Sequence, residues 1–229
     1  MNTAEHPWFG ILVTLAAWVV ATRMRKWFGT PLVDPVLVSV IMIIFFLMAL
    51  GIPYENYNVG GSVISFLLGP AVVALAVPFY RHLARVRQHL FPVIVSVFVG
   101  AIVGIASASG LVYLLNGSRE SVISVAPKSV TTPIAMEVSE IIGGTPPLTI
   151  AVVVLTGIFG SMAGPQIARV VRVKGDIAQR LAVGTAAHGL GTSRALRDNE
   201  LKGAMSSIGM VLNGLMTALL LPLLVWLLS

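Results

Sequence analysis

The feature that most constrains this chain is the recurrence of long apolar stretches. Residues 8–22, 33–50, 60–80, 90–116, 147–170 and 203–228 are almost free of charge. A helix crossing the hydrocarbon core needs about 20 predominantly apolar residues, and each stretch supplies most or all of that length. The first is short, but Trp8 and Trp18 suit the membrane–water interface. Two further segments, 121–143 and 176–198, are less apolar and interrupted. The pattern predicts an all-α polytopic membrane protein. It would have about six full transmembrane helices plus two broken or re-entrant helical segments, forming one integral membrane domain over 1–229.

Composition agrees. Hydrophobic residues make up 56% of the chain and charged residues 10%, where a soluble domain carries roughly a quarter charged residues. Lipid must cover what polar side chains cannot. The net charge of +6 does not point to nucleic acid, because the basic residues sit in short runs between apolar stretches. Arg23, Arg25 and Lys26 follow the first apolar stretch instead of preceding it, which argues against a cleaved signal peptide. Loops 23–30, 81–89 and 169–180 are basic, whereas 51–59 carries only Glu55. The positive-inside rule places the basic loops in the cytoplasm and the N-terminus outside. For loop 169–180 to lie inside, segment 121–143 must enter from outside and return; segment 176–198 is compatible with crossing or re-entry. With no cysteine, disulfides and thiolate metal sites are excluded.

The first interrupted segment reads Ser124-Val-Ala-Pro127-Lys128-Ser129-Val130-Thr131-Thr132-Pro133, with Glu137 one turn further on. Proline removes a backbone donor and clashes with the preceding turn, so a helix must break here. Thr132 is expected as the N-cap of a new helix with Pro133 at its first position. A helix N-terminus offers free N–H groups and partial positive charge to an anion. Lys128 adds a full charge, and Ser129, Thr131 and Thr132 add hydroxyls. Unwound backbone at membrane depth is tolerated where it is buried or lines a cavity. The alternative is an ordinary external loop with a polar turn. Glu137 is a candidate for pairing with Lys128, for coupling to a cation, or for favouring the helix start.

The second interrupted segment contains Asp176, Gln179, Arg180 and then Gly184-Thr185-Ala-Ala-His188-Gly189-Leu190-Gly191-Thr192-Ser193-Arg194. Asp176 and Gln179 have the spacing of a capping box. The expected break falls at Gly189 and Gly191, with Thr192 or Ser193 capping the next half. Thr185, His188, Gly189, Gly191, Thr192 and Arg194 are candidate binding residues. His188 is either hydrogen-bonded packing or a proton carrier. Arg194 is a bidentate carboxylate clamp or a residue facing cytoplasmic water.

Gly69-Pro70 is expected to kink stretch 60–80 and Pro78 to end it. Gly69-Pro-Ala71-x-x-Ala74-Leu75-Ala76 weakly parallels Gly184-Thr-Ala186-x-x-Gly189-Leu190-Gly191, which raises an inverted repeat of 33–116 and 147–228. Gly100, Gly104 and Ala108 form one small-residue face, and Gly209, Asn213 and Thr217 another. Both read first as helix-packing faces, and they raise a homodimer or larger assembly. Asn213 stands apart, because its amide needs a partner, and is a further candidate for ion coupling.

Three motifs in this order, Leu67-Leu-Gly-Pro-Ala-Val-Val-Ala-Leu-Ala-Val-Pro-Phe-Tyr-Arg81, Pro127-Lys-Ser-Val-Thr-Thr-Pro-Ile-Ala-Met136 and Gly184-Thr-Ala-Ala-His-Gly-Leu-Gly-Thr192, resemble the LrgB/CidB family over roughly residues 10–228. The resemblance implies a protein of the bacterial inner membrane, with a smaller holin-like membrane partner of the LrgA/CidA type. It also implies either of two roles. Plant plastid relatives, similar to this chain in their C-terminal half, move glycolate and glycerate, and other bacterial members are associated with pyruvate. The family name itself derives from effects on murein hydrolase activity and autolysis.

The expected function is therefore a secondary transporter, or transporter subunit, for small monocarboxylates such as glycolate, glycerate, pyruvate or lactate. Proton or sodium coupling would involve Glu137, His188 or Asn213, and no other cofactor is expected. The alternative is a holin- or antiholin-like regulator of murein hydrolase activity, which needs no cation beside hydroxyls at a broken helix. An enzyme is not expected: the chain lacks HExxH, GxSxG and any histidine close in sequence to a catalytic acid.

Overall fold

A computed structural model describes residues 6–29, 33–74, 77, 80 and 90–227. Pro78 and the basic loop 81–89 lie outside the described residues. All regular structure among the described residues is helical. The chain divides into two compact units, Met1–Ala74 and Leu75–Ser229.

The first unit contains α1 (Pro7–Phe28), α2 (Pro35–Leu50), α3 (Tyr54–Phe66) and α4 (Leu68–Ala74). Asp34 caps α2 by accepting from the amides of Val36 and Leu37, and Gly29 and Gly51 close α1 and α2 in the left-handed conformation. α2 has 16 residues, about 24 Å of helix, so the stretch 33–50 falls short of a straight span. Stretch 60–80 is not one kinked helix either. α3 ends at Phe66 and α4 restarts at Leu68. Pro70 has no N–H to offer the Phe66 carbonyl one turn back, so the break precedes the Gly69-Pro70 pair.

The second unit contains three long helices, α5 (Leu90–Leu114), α8 (Pro146–Val170) and α10 (Glu200–Leu227), and between them α6 (Arg119–Val125), α7 (Thr132–Ile141) and α9 (Asp176–Asp198). Its long helices are inside-out relative to a soluble bundle. On α10, Gly209, Asn213, Thr217 and Leu221 are buried. Val211, Leu215, Leu219 and Leu223, two residues round the helix, are 53%, 58%, 67% and 51% exposed. Small and polar side chains face the protein, and branched apolar ones face outward. Water would not tolerate that surface, and a bilayer requires it. With α1, these three helices are long and apolar enough to cross a membrane.

The two interrupted segments are both hairpins. In the first, α6 lies against the residue before α8: the Thr145 amide donates to Ser124 Oγ at 2.7 Å, and the Thr145 hydroxyl donates to Glu120. The chain leaves α5, runs through α6 and α7, and returns to where it began. α6 and α7 have 7 and 10 residues, about 10 and 15 Å, half a membrane at most.

In the second, α9 doubles back. Arg180 and Asp198, near its two ends, form an ion pair at 2.8 Å, and Asp176 pairs with Lys202 of α10 at 2.9 Å. A straight helix would separate Val183 from Gly191 by about 12 Å, yet a Cβ on Gly191 would lie 2.9 Å from the Val183 carbonyl. The sequence leaves crossing or return open for this segment, and the backbone returns. Since α8 starts at the base of the first hairpin and ends at the base of the second, its length of about 37 Å separates the two bases. The hairpins therefore enter from opposite ends.

Candidate functional site

The break in the first hairpin spans residues 126–131, between α6 and α7. The cap lies one residue earlier than expected. Thr131 is the N-cap of α7, with Thr132 the first helical residue, and no side-chain oxygen caps the first turn. Pro133 follows Thr132, so the N–H that remains free at the start belongs to the backbone alone. Val130 packs with Ala135 of α7 and Val153 of α8, anchoring the tip inside the unit.

The break in the second hairpin falls at His188, not at Gly189 or Gly191. His188 alone within α9 is non-helical, with φ 40° and ψ −132°, a region that costs a side-chain-bearing residue on the order of 1–3 kcal/mol. The reason is tertiary. His188 is buried, and its Nε2 lies 3.0 Å from the carbonyl oxygen of Val153 on α8. A carbonyl only accepts, so Nε2 carries the proton. A Cβ on Gly157 would sit 2.6 Å from this ring, and one on Gly160 would strike Ala187. Two bare positions on α8 thus admit the tip.

The other expected caps also differ. Gly175, with φ 91°, is the N-cap of α9, so Asp176 is free to pair with Lys202 and the amide of Gln179 donates to the Val173 carbonyl. That hydrogen-bonded ion pair holds the exposed Asp176 carboxyl below its usual range. Thr192 shares a hydrogen bond with Ser206 of α10 at 3.1 Å, and the Ser193 hydroxyl donates to Leu190; neither caps a half-helix.

Asn213, on α10, joins the two breaks. Its Nδ2 donates to the Ser129 carbonyl at 2.9 Å and to the Thr185 carbonyl at 3.1 Å. The break at His188 removes the helical partner that the Thr185 carbonyl would find four residues on, and the turn at 126–131 does the same for Ser129. One amide group supplies both missing donors, and the residue is fully buried. Its Oδ1 has no hydrogen-bond partner. The small-residue faces meet at the same level. A Cβ on Gly100 would touch the Thr185 methyl at 3.1 Å, one on Gly104 the Ser129 hydroxyl at 3.4 Å, and one on Gly209 the Thr185 hydroxyl at 2.8 Å. α9 crosses α10 so closely that a Cβ on Gly184 would collide with the Ser206 carbonyl.

Lys128 stands beside this joint. It is half-buried, its Nζ donates to Ser129 Oγ at 3.1 Å, and it has no carboxylate partner among the described residues. Its side chain reaches a largely apolar cleft of about 350 Å³ between α8 and the first half of α9, bounded by Thr156, Phe159, Gly160, Val183 and Ala186. Glu137, in contrast, is exposed and forms no ion pair with Lys128.

Arg194 is not at the tips. It lines a polar cleft of about 320 Å³ at the base of the second hairpin with Arg169, Asp176, Gln179, Arg180 and Asp198. One group escapes the sequence reading altogether. Ser124, Ser139 and Thr149 are fully buried. Ser139 shares a hydrogen bond with Thr149 at 2.7 Å, and Thr149 donates to the Ser124 carbonyl at 2.9 Å. This cluster pins α6, α7 and α8 together. Three single hydroxyls on three different helices carry no periodic signal. The α8 glycines do, since Gly157, Gly160 and Gly164 share one helical face.

Four helices long and apolar enough to cross a membrane, three of them with apolar outer faces around two hairpins that meet on a buried amide, are those of a helical membrane protein. The chain matches the model of the LrgB-like family over residues 14–227 and belongs to that family. It is 37% identical over 217 residues to the uncharacterized protein YxaC of Bacillus subtilis (strain 168), covering 95% of this chain and 94% of that one. It is 32% identical over 225 residues to the holin-like protein CidB of Staphylococcus aureus (strain N315), covering 98% of both. No solved structure matches.

Proposed function

We propose that the chain is a secondary carrier, or the carrier subunit of a pair, for small monocarboxylates such as glycolate, glycerate, pyruvate or lactate. The observation that carries this reading is the convergence of two hairpin tips, entering from opposite ends, on Asn213, with Lys128, which has no carboxylate partner among the described residues, beside them. The substrate carboxylate is placed at Lys128 and the α7 N-terminus, with Ser129, Thr131 and Thr132 as further donors. Thr185, His188, Gly189, Gly191 and Thr192 belong to the facing hairpin. Discontinuous helices meeting at the midplane are the usual arrangement for a substrate that must be reached from either side. His188 and Asn213 are the groups at the joint through which a proton or sodium ion would couple.

In this reading both interrupted segments are re-entrant. The base that carries Arg169, Arg180, Arg194 and Lys202 faces the cytoplasm, in the bacterial inner membrane, and the N-terminus lies outside. An LrgA/CidA-like membrane protein and a second copy of this chain are the proposed partners.

The second reading, a holin-like regulator of murein hydrolase activity, is favoured by the name holin-like that the CidB relatives carry. Uptake separates the two. Purified protein in proteoliposomes, alone and with an LrgA-like partner, is offered labelled pyruvate, glycolate and lactate with and without a pH gradient. Saturable uptake that unlabelled carboxylates compete away is expected. Lys128→Ala should abolish it, by at least about 100-fold given a lost charge-assisted contact of roughly 3 kcal/mol, while the protein stays monodisperse. Normal uptake by Lys128→Ala would remove the assignment of the site, and no uptake in any preparation would favour the holin-like reading.

A further inference from the structure

The polar cleft at the base of the second hairpin is not used by the reading above. Three guanidinium groups, Arg169, Arg180 and Arg194, line it, against two carboxylates, Asp176 and Asp198. Both carboxylates are already engaged, Asp176 by Lys202 at 2.9 Å and Asp198 by Arg180 at 2.8 Å. Arg194 has no acceptor in the cleft among the described residues, and the Nε of Arg169 reaches only its own-turn carbonyl at Pro165, 3.4 Å away. The Nε of Arg180 is buried without a partner. The cleft therefore holds more planar donors than its own acceptors can use.

It also demonstrates the chemistry it can perform, because Arg180 binds a carboxylate there now. That carboxylate belongs to Asp198, whose side chain is 43% exposed, while Arg180 is only 11% exposed. A guanidinium fixed in place and a carboxylate open to solvent make an exchangeable pair. Guanidinium forks take carboxylates and phosphates in the same bidentate geometry.

We propose that this cleft is a second oxyanion station, separate from Lys128. An incoming oxyanion is held by Arg194 and Arg169 and exchanges with Asp198 on Arg180. Because the Arg180–Asp198 pair ties the start of α9 to its end, occupancy also frees the base of the hairpin whose tip meets Asn213. Two sources share this chemistry, a soluble carboxylate or phosphate arriving from water and the phosphate of an anionic lipid headgroup.

The test reads binding in a Lys128→Gln background, so that it stands or falls independently of the carrier reading. Pyruvate and inorganic phosphate are titrated calorimetrically into the full chain in nanodiscs of zwitterionic lipid, and again with phosphatidylglycerol included. Lys128→Gln should still bind a probe, with an affinity that falls as salt is added. Adding Asp198→Asn should tighten binding by about 5- to 10-fold, since the competing carboxylate is gone. Adding Arg194→Gln should weaken it by about 10-fold or more, with Arg194→Lys between. The Asp198→Asn gain cannot arise from misfolding. Probe binding suppressed by phosphatidylglycerol assigns the station to a headgroup, and binding unaffected by it assigns a soluble oxyanion. Binding indifferent to both Arg194→Gln and Asp198→Asn would overturn the proposal. So would no probe binding in either disc by the Lys128→Gln and Lys128→Gln/Asp198→Asn proteins.

Discussion

The two hairpins do the same geometric job by different means. The first breaks where Pro127 and Pro133 forbid a continuous helix, and its base is closed by hydroxyl hydrogen bonds around Ser124, Thr149 and the Glu120 carboxylate. The second contains no proline between Asp176 and Asp198. It breaks at a histidine forced to positive φ, and its base is closed by the ion pairs of Arg180 and Asp176. One break is written into the backbone chemistry of the segment. The other is imposed by α8, whose bare glycines receive the tip and whose Val153 carbonyl holds the ring. A hairpin held only by its neighbours can be released by them, which makes the second the better candidate for a moving element.

The largest test of this contrast is at the shared joint. Asn213→Leu leaves the carbonyls of Ser129 and Thr185 without donors at a buried site. It should cost on the order of 4 kcal/mol, at about 1–3 kcal/mol per orphaned group with lost packing added, read as thermal unfolding of the purified protein in detergent. A loss below about 1 kcal/mol would mean the hairpins are held elsewhere. Next comes the break itself. Glycine at 188 relieves the strained backbone while alanine keeps it, and both lose the bond to Val153. His188→Gly should therefore be the more stable of the two by about 1–2 kcal/mol. Alanine equal to glycine would show that the strain at 188 is not stored in the fold.

The smallest expected effect is at the second base. The Asp176 carboxyl is held below its ordinary value by Lys202. Its contribution is present above the normal carboxylate range, about pH 4, and is lost as pH falls through the lowered value. Asp176→Asn should lower the neutral plateau of the melting-temperature profile slightly and flatten this acid limb. An unaltered acid limb would show that the exposed pair does not contribute.

The membrane class, the long helices and the first break were legible in the chain. Apolar runs and prolines act locally, and a lone residue such as Pro133 constrains the backbone whatever surrounds it. The small-residue faces were legible as packing faces, and Asn213 as a residue in need of partners. The stretch 33–50 folds as a 16-residue helix and the described part of 60–80 as two shorter ones, because hydropathy does not register where Asp34 caps a helix or where Pro70 denies one its last bond. For Arg194 the sequence leaves open a carboxylate clamp near Thr192 or a residue facing cytoplasmic water, and the hairpin, which carries residues just past its turn back toward its base, puts it at the base.

What the sequence by itself determined is a chain that must live in lipid and that carries one break no helix can survive. Only the tertiary structure decided that His188 and not Gly189 is the second break, that the segment 176–198 doubles back, and that one amide joins the two breaks. The physical reason is that these depend on which donors and glycines of α8 and α10 lie opposite. That pairing spans 84 residues between Ser129 and Asn213, a separation at which no local pattern in the sequence reports contact.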